Sequence, residues 1–558
     1  MSISSLRAVR PVKQRSLLPE RLLPWLLAAG SLLYLLLFNG STQLYGLDET
    51  KNAQCAREML LRNDWIVPTF NGELRTDKPP LHYVFMGLAY RLFGVTEFAA
   101  RFFSGVFGTL TVLLTYGFTR RYLGFRAGWL AALILLTSLH YAVQLRMSVP
   151  DPYLLFWLTL TGMAAFVGLE TGRAGPFYVA YAGAALGMLT KGPVAVLLPG
   201  LVVALYLTVR RQWSWKQVKQ FRLPAGLLLW AGLALPWFVA VHHATNGAWT
   251  DGFFFKHNLA RFSAPMEGHG GFFGLPLLFV LAGLLPFSVF LPAALRLAWR
   301  SRQPVLRYSG LAALVVIGFF TFSSTRLPNY TVPAYPFLAL LLGHTLDRLW
   351  RSAARSRPVT RLLTRSIRTY AIVVSLIPVA VAMALRADPV LHDRWWLGGV
   401  FVGYPLGAVV ALAYWRRRQL GGVIGTMIVS FWLSSWALYG YAYPQVDARN
   451  PVRQSEPLLA GRAEVGAYKL FNPAFVFYRN RPIPVMTTPA ELSAYLTRHP
   501  TALIITRRDW LPELAPLALT TVFRQRDLFE RSETVMLQGR FRTEGRPNQQ
   551  PPVEPAGR

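Results

Sequence analysis

Between residues 22 and 441 the sequence repeats apolar runs close to the length that crosses a bilayer, and nothing else in it constrains the fold as strongly. A hydrocarbon core about 30 Å thick takes about 20 helical residues to cross. Composition agrees: 53% of the residues are hydrophobic and 15% are charged, where a soluble domain carries about a quarter charged. The chain reads as a polytopic α-helical membrane protein.

The formal net charge is +32. On a soluble protein that would suggest nucleic acid. Here the Lys and Arg residues sit in short clusters between apolar runs, as cytoplasmic loops do, so nucleic acid is set aside as a partner. Arg7, Arg10, Lys13, Arg15 and Arg21 precede the first span, 22–38, and place the N-terminus in the cytoplasm. No small-residue cleavage site follows that span, so no cleavable signal is expected. Within the outer segment 39–97, the run 81–93 is too short for a comfortable span and reads as a helix in the membrane interface. Further spans are expected at 98–119, 127–143, 152–169, 177–189, 194–209, 223–241, 272–297, 311–322, 332–346, 370–385, 396–414 and 423–441. The most basic inner loop is 348–368. This makes about thirteen transmembrane helices in a domain covering 1–441, with outer loops 39–97 and 242–271.

The remainder is a different material. Turn signals, short β-rich runs at 475–478 and 503–506, and a helical stretch near 491–498 predict a small α/β domain on the outer face, 442–545. The Pro-rich polar end, 546–558, is expected to be disordered. The single cysteine, Cys55, excludes an intrachain disulfide framework and a cysteine-based zinc cluster.

With this topology the unusual polar residues gather on one face. Asp48 and Glu49, Asp77 and Lys78 in TDKPP, Asp151 in SVPDPYLLF, Lys191 in LTKGP, Arg261, Glu267, His257 and His269 of the long loop, and Arg326 in SSTRLPNY are all outside. Singly, each has an ordinary explanation: a cap, a turn aspartate, an interface anchor, a loop histidine. Together they describe an outward-facing site at the membrane boundary. An anionic lipid phosphate there wants fixed cations, for which Lys78, Lys191, Arg261 and Arg326 are candidates. An acceptor hydroxyl wants a carboxylate base, which Asp48 can supply. Asp151 can hold the geometry or raise that base by like-charge repulsion, while Glu49 serves a backbone or arginine contact and His269 an outer position. Asp77 with His257 offers two ligands to a divalent ion such as zinc, too few to define a site.

Five stretches carry a resemblance: YGLDETKNAQCAREMLLRNDWIVPTFNGELRTDKPPLHY, VPDPYLLFWL, LGMLTKGPVAVLLP, FFFKHNLARFSAPMEGHGGFF and STRLPNYTVPAYPFLAL. In these the chain resembles the polyprenyl-phosphate-sugar-dependent glycosyltransferases of the GT-C class. It is most similar to the bacterial aminoarabinose transferase family that modifies lipid A, within family 39 and related to protein O-mannosyltransferases. The resemblance implies a GT-C fold and transfer with inversion from an undecaprenyl monophosphate carrier to a glycolipid, without an obligate metal. It places the active site on the periplasmic side of the bacterial inner membrane. It puts Asp48 on the catalytic aspartate, Asp151 on its supporting aspartate, Lys78 and Lys191 near the lipid phosphate, and His257 on a histidine associated with a metal. Asp77 stands where the family usually has Glu. Tyr45, Tyr83 and Tyr330 become phosphate or acceptor contacts. Two alternatives stay open: an O-mannosyltransferase-like enzyme with a protein acceptor, and a flippase or transporter of a lipid-linked sugar, which would need polar residues on both faces.

Overall fold

The computed structural model describes residues 21–44, 46–259, 272–353, 356–462 and 464–539. Tyr45, Arg261, Glu267, His269 and the end 546–558 lie outside them. Every apolar run expected to span carries helix. The described residues open with α1 (Leu23–Leu36) and continue through α2 (Gly46–Arg62), a hairpin of β1 (Thr69–Phe70) and β2 (Glu73–Leu74), and α3 (Leu81–Phe93). Then come α4 (Glu97–Leu123), α5 (Phe125–Leu136), α6 (Leu139–Gln144), α7 (Asp151–Thr171), α8 (Ala174–Lys191) and α9 (Val194–Arg210). Among the described residues, seven helices are long and apolar enough to cross a membrane, or eight if one bent pair is a single span.

The differences from expectation have local causes. The run 127–143 is not one helix: the Thr137 and Ser138 hydroxyls bond back to the carbonyls of Leu133 and Ile134, both at 2.7 Å, and α5 ends there. Such back-bonding competes with the helical ladder. The run 272–297 is broken into Leu275–Gly283 and Phe287–Arg300, bent by 111° across Pro286, which has no N–H to continue the first helix. The basic loop 348–368 is largely helical, since helices Tyr335–Ser352 and Arg357–Ala387 extend into it from both sides. The segment 475–478, expected as strand, lies in helix Ala474–Arg479. Asn472 Oδ1 accepts from the Ala474 amide at 3.0 Å and Pro473 follows it, a helix start that a short apolar run cannot reveal.

After the last long helix, Leu420–Ala437, five strands form one sheet: β3 (Val465–Tyr468), β4 (Val485–Met486), β5 (Leu503–Arg507), β6 (Thr520–Arg526) and β7 (Glu533–Gln538), in the order β4-β3-β5-β7-β6. β4, β3 and β5 are parallel; β7 and β6 run antiparallel. Alternation along β5 divides the core, with Leu503 and Ile505 facing Phe475 and Val476, and Ile504 facing Leu492 and Val535. The sheet is tied to the β1–β2 hairpin by reciprocal bonds between the Asn71 side chain and the Ile483 backbone, both 2.8 Å. Tyr478 Oη donates to Glu97 at 3.0 Å and accepts from the Leu44 amide at 2.6 Å.

The tightest polar knot lies at the start of α2. Arg101 of α4 donates to both oxygens of Glu49, at 2.7 and 2.9 Å. It also donates to the carbonyls of Asn39, Thr42 and Gln43. Glu49 Oε1 accepts from the Ser148 amide at 2.8 Å. Both side chains are buried. Two desolvated ions repay their burial only when paired this completely. Arg101→Ala is therefore expected to cost about 3–5 kcal/mol by stranding Glu49. Thermal unfolding of the detergent-solubilised protein checks this, and an unchanged midpoint would refute it.

Candidate functional site

Two polar anchors are delivered by one helical pair. α7 and α8 pack side by side and turn at Gly172, so the first residue of α7, Asp151, meets the last residue of α8, Lys191. Lys191 Nζ donates to Asp151 Oδ1 at 2.7 Å. The LTKGP stretch supplies the turn. Gly192 has φ +99°, and a Cβ there would lie 2.6 Å from the Phe253 ring, so only glycine allows both the backbone and the close approach. Asn329, on the 3-10 turn Pro328–Ala334, donates to the same Asp151 oxygen at 2.9 Å. The Tyr330 ring lies 5.4 Å from Lys191 Nζ.

The TDKPP segment faces this pair. Asn71 (φ +56°) and Gly72 (φ +81°) form a tight hairpin turn, a conformation Asn-Gly adopts readily. Glu58 pins it by accepting from the Thr69 hydroxyl at 2.6 Å and the Asn71 amide at 2.7 Å. Beyond it, Arg75 holds Asp77 with two bonds, 2.6 and 2.9 Å, and reaches Asn52 of α2 at 2.9 Å. The Arg75 carbonyl accepts from Trp249 Nε1 at 2.8 Å. Trp249 is fully buried and stacks on Phe253 at 4.8 Å. Phe253 belongs to the π-helix Gly252–Leu259, a form that recurs at functional sites. That segment presents Phe253, Phe254 and His257 to a cavity of about 420 Å³.

The cavity lining combines the polar side chains of Asp77, Lys78, Asp151, Lys191, His257 and Asn329, with Ser323 and Thr325, and an apolar set that includes Leu154, Leu158, Leu197, Leu198, Phe319 and Phe320. Residues far apart in sequence are brought together here: Asp77, Lys78, Asp151, Lys191, His257 and Tyr330. Asp48 stands apart from the lining, in the first turn of α2. It is open to solvent on one side and enclosed by protein on the others. Enclosure works to raise its carboxyl, but Lys78 and Arg75, with Lys191, outweigh that and the opposing Asp77, and hold it below the ordinary value. For Asp77, burial likewise opposes ionisation, and the Arg75 guanidinium holds the carboxyl far below the usual range.

Some expectations change. Tyr83, expected at the phosphate, is fully buried. It lies on the face of α3 shared with Met86 and Tyr90 that packs against α2, with Arg75 5.8 Å from its ring. Arg326 donates to the Thr321 carbonyl at 3.3 and 3.2 Å and is not part of the cavity lining. Of the two ligands considered for a divalent ion, Asp77 is held by Arg75 through both oxygens, and His257 lines the same cavity. Among the described residues no three His, Cys, Asp or Glu side chains converge on a metal position. Sequence reasoning missed Arg75, Asn52, Trp249 and Asn329, which carry no motif of their own. The turn signal in LPNY was the one hint for Asn329.

The arrangement can receive an anionic head group at Lys78 and Lys191, keep an apolar chain against the leucine and phenylalanine wall, and present an ionised carboxylate to an incoming nucleophile. A carboxyl held low stays ionised until the pH falls through its lowered value, so what it contributes is lost only below the ordinary Asp range. Arg75→Ala releases Asp77 and removes a cation from Asp48, and is expected to move the acid-side loss of activity to higher pH than in the wild type. pH–rate profiles of the two proteins check this. Coincident acid limbs would remove Arg75 from the electrostatics of the site.

Comparison with known proteins follows the same lines. Residues 77–239 match the family model described as dolichyl-phosphate-mannose-protein mannosyltransferase. The chain is 31% identical over 484 residues to undecaprenyl phosphate-alpha-4-amino-4-deoxy-L-arabinose arabinosyl transferase 2 of Pseudomonas fluorescens Pf-5, covering 82% of this chain and 80% of that one. It is 36% identical over 426 residues to the corresponding transferase of Pseudomonas paraeruginosa, covering 74% and 69%. The structure of ArnT from Cupriavidus metallidurans bound to undecaprenyl phosphate superposes with a TM-score of 0.75 at 23% identity, over 93% of this chain and 98% of that one. This polytopic membrane protein has the GT-C fold and belongs to the family of the undecaprenyl phosphate-aminoarabinose arabinosyl transferases, a family of glycosyltransferases.

Proposed function

We propose that the protein transfers 4-amino-4-deoxy-L-arabinose from undecaprenyl phosphate to a lipid A-type glycolipid, with inversion, on the periplasmic face of the bacterial inner membrane. The apolar runs then make about thirteen spans, with the C-terminal sheet on the same outer face. The observation that carries this reading is the mixed lining of one cavity, in which Lys78 and Lys191, each beside a carboxylate, share the wall with leucine and phenylalanine side chains. A polyprenyl phosphate combines the same two chemistries. The names of the two Pseudomonas relatives support the sugar and the carrier.

In this mechanism Lys78 and Lys191 hold the donor phosphate. An acceptor oxygen, from a hydroxyl or a phosphate, attacks the anomeric carbon from the side of Asp48. The new carbon–oxygen bond forms as the bond from that carbon to the carrier phosphate breaks, and the electron pair leaves with the phosphate. Asp48 takes the proton of a hydroxyl acceptor or orients the acceptor oxygen. The leaving phosphate gains charge, and fixed cations in a partly dry cavity stabilise that charge better than water does. Asp151 keeps Lys191 in place. The family model described for protein mannosyltransferases favours one second reading, a serine or threonine hydroxyl of a protein as acceptor.

Asp48→Asn is expected to lower transfer by about 100-fold or more while undecaprenyl phosphate still binds. Lys78→Ala is expected to raise the donor KM as well as lower kcat. Mass spectrometry of lipid and glycoprotein fractions from knockout cells, complemented with each variant, provides the test. Normal transfer by Asp48→Asn would refute the base assignment. A sugar lost from protein rather than lipid would replace the acceptor, and full product in the knockout would refute the transferase reading.

A further inference from the structure

The structure assigns Asn329 as a positioning residue of the donor site: it shares one oxygen of Asp151 with Lys191 and so aims the ammonium at the carrier phosphate. This rests on the polyprenyl phosphate reading above. Lys191 Nζ and Asn329 Nδ2 reach Asp151 Oδ1 at 2.7 and 2.9 Å. The aspartate and lysine side chains keep 14% and 18% of their surface, so the pair is shielded but not sealed from the cavity. An ammonium has three donors. One is spent on Asp151, and the Tyr330 ring at 5.4 Å limits where the others can turn.

The amide suits this position chemically. It donates to a carboxylate without bringing charge, so Asp151 is oriented and not neutralised, and Lys191 keeps its counter-ion. A cation at 329 would compete with Lys191 for that oxygen, and an apolar side chain would remove one of the two donors that orient the carboxylate. The backbone delivers the amide reliably. The 3-10 turn Pro328–Ala334 holds Asn329 and Tyr330 next to each other on the cavity wall, and Arg326 bonded to the Thr321 carbonyl folds the preceding segment back on its helix. Thus a segment some 140 residues beyond Lys191 decides the direction of its charge.

The test is a double-mutant cycle on the full-length protein in detergent, with undecaprenyl phosphate as the probe. Asn329→Ala is expected to weaken undecaprenyl phosphate binding and raise the donor KM by about tenfold, the scale of one hydrogen bond to a charged group, with a smaller change in kcat. In the Asp151→Ala background the same substitution is expected to add nothing, because its partner is gone. Asn329→Ser, which keeps a donor, is expected to recover part of the affinity, and replaces Asn329→Ala in the cycle if the alanine variant does not fold. Additive losses, or an Asn329→Ala protein that binds like the wild type, would overturn the assignment. Failure of the wild type itself to bind undecaprenyl phosphate would overturn the donor reading instead.

Discussion

The ion pair between Glu49 and Arg101 is the interaction from which the site is built. It joins three elements that local structure alone would leave independent: the first turn of α2, the body of α4, and the loop at Ser148 that leads into α7. Asp48 is the residue before Glu49, and Asp151 lies three residues past Ser148. A single buried contact therefore sets the positions of both aspartates. Its completeness follows from where it lies. In a buried setting a half-satisfied ion is costly, so the guanidinium takes three backbone carbonyls as well as the carboxylate.

The same economy of charge runs through the cavity. Arg75 is held to Asp77 and Lys191 to Asp151, so the cations wait in place, each with a carboxylate beside it. In the proposed reaction a site prepared in this way needs little rearrangement to receive a phosphate, and its field would act where charge appears on the leaving group. The aromatic layer of Trp249, Phe253 and Phe254 does the complementary work. It supports the Arg75 backbone from one side and lines the cavity from the other.

The helices were legible because lipid demands them. A run of about 20 apolar residues has few other ways to satisfy its backbone, and the basic clusters order the runs. What sequence could not show were the breaks. Thr137 and Ser138 look like ordinary helix residues until their hydroxyls turn inward. Residues 475–478 look like strand until Asn472 and Pro473 start a helix. In the site, Asp77, Lys78, Asp151, Lys191 and His257 were picked out by residue type and setting and Tyr330 by the family resemblance, and they share one cavity. Tyr83 was also picked by the resemblance and is buried, since its helical phase, not its chemistry, decided where it points.

Sequence by itself determined the membrane-embedded helical class, the family pattern and the candidates Asp77, Lys78, Asp151, Lys191 and His257 that line the cavity, because these depend on composition, run length and local spacing. Tertiary structure alone decided which charges are paired. Arg75 grips both oxygens of Asp77, Asn329 and Lys191 converge on one oxygen of Asp151, and Asp48 is held ionised by cations from other segments. The reason is distance. Coulomb energies and hydrogen bonds fall away over a few ångströms, and which side chains come that close is set by how helices pack, which no local pattern encodes.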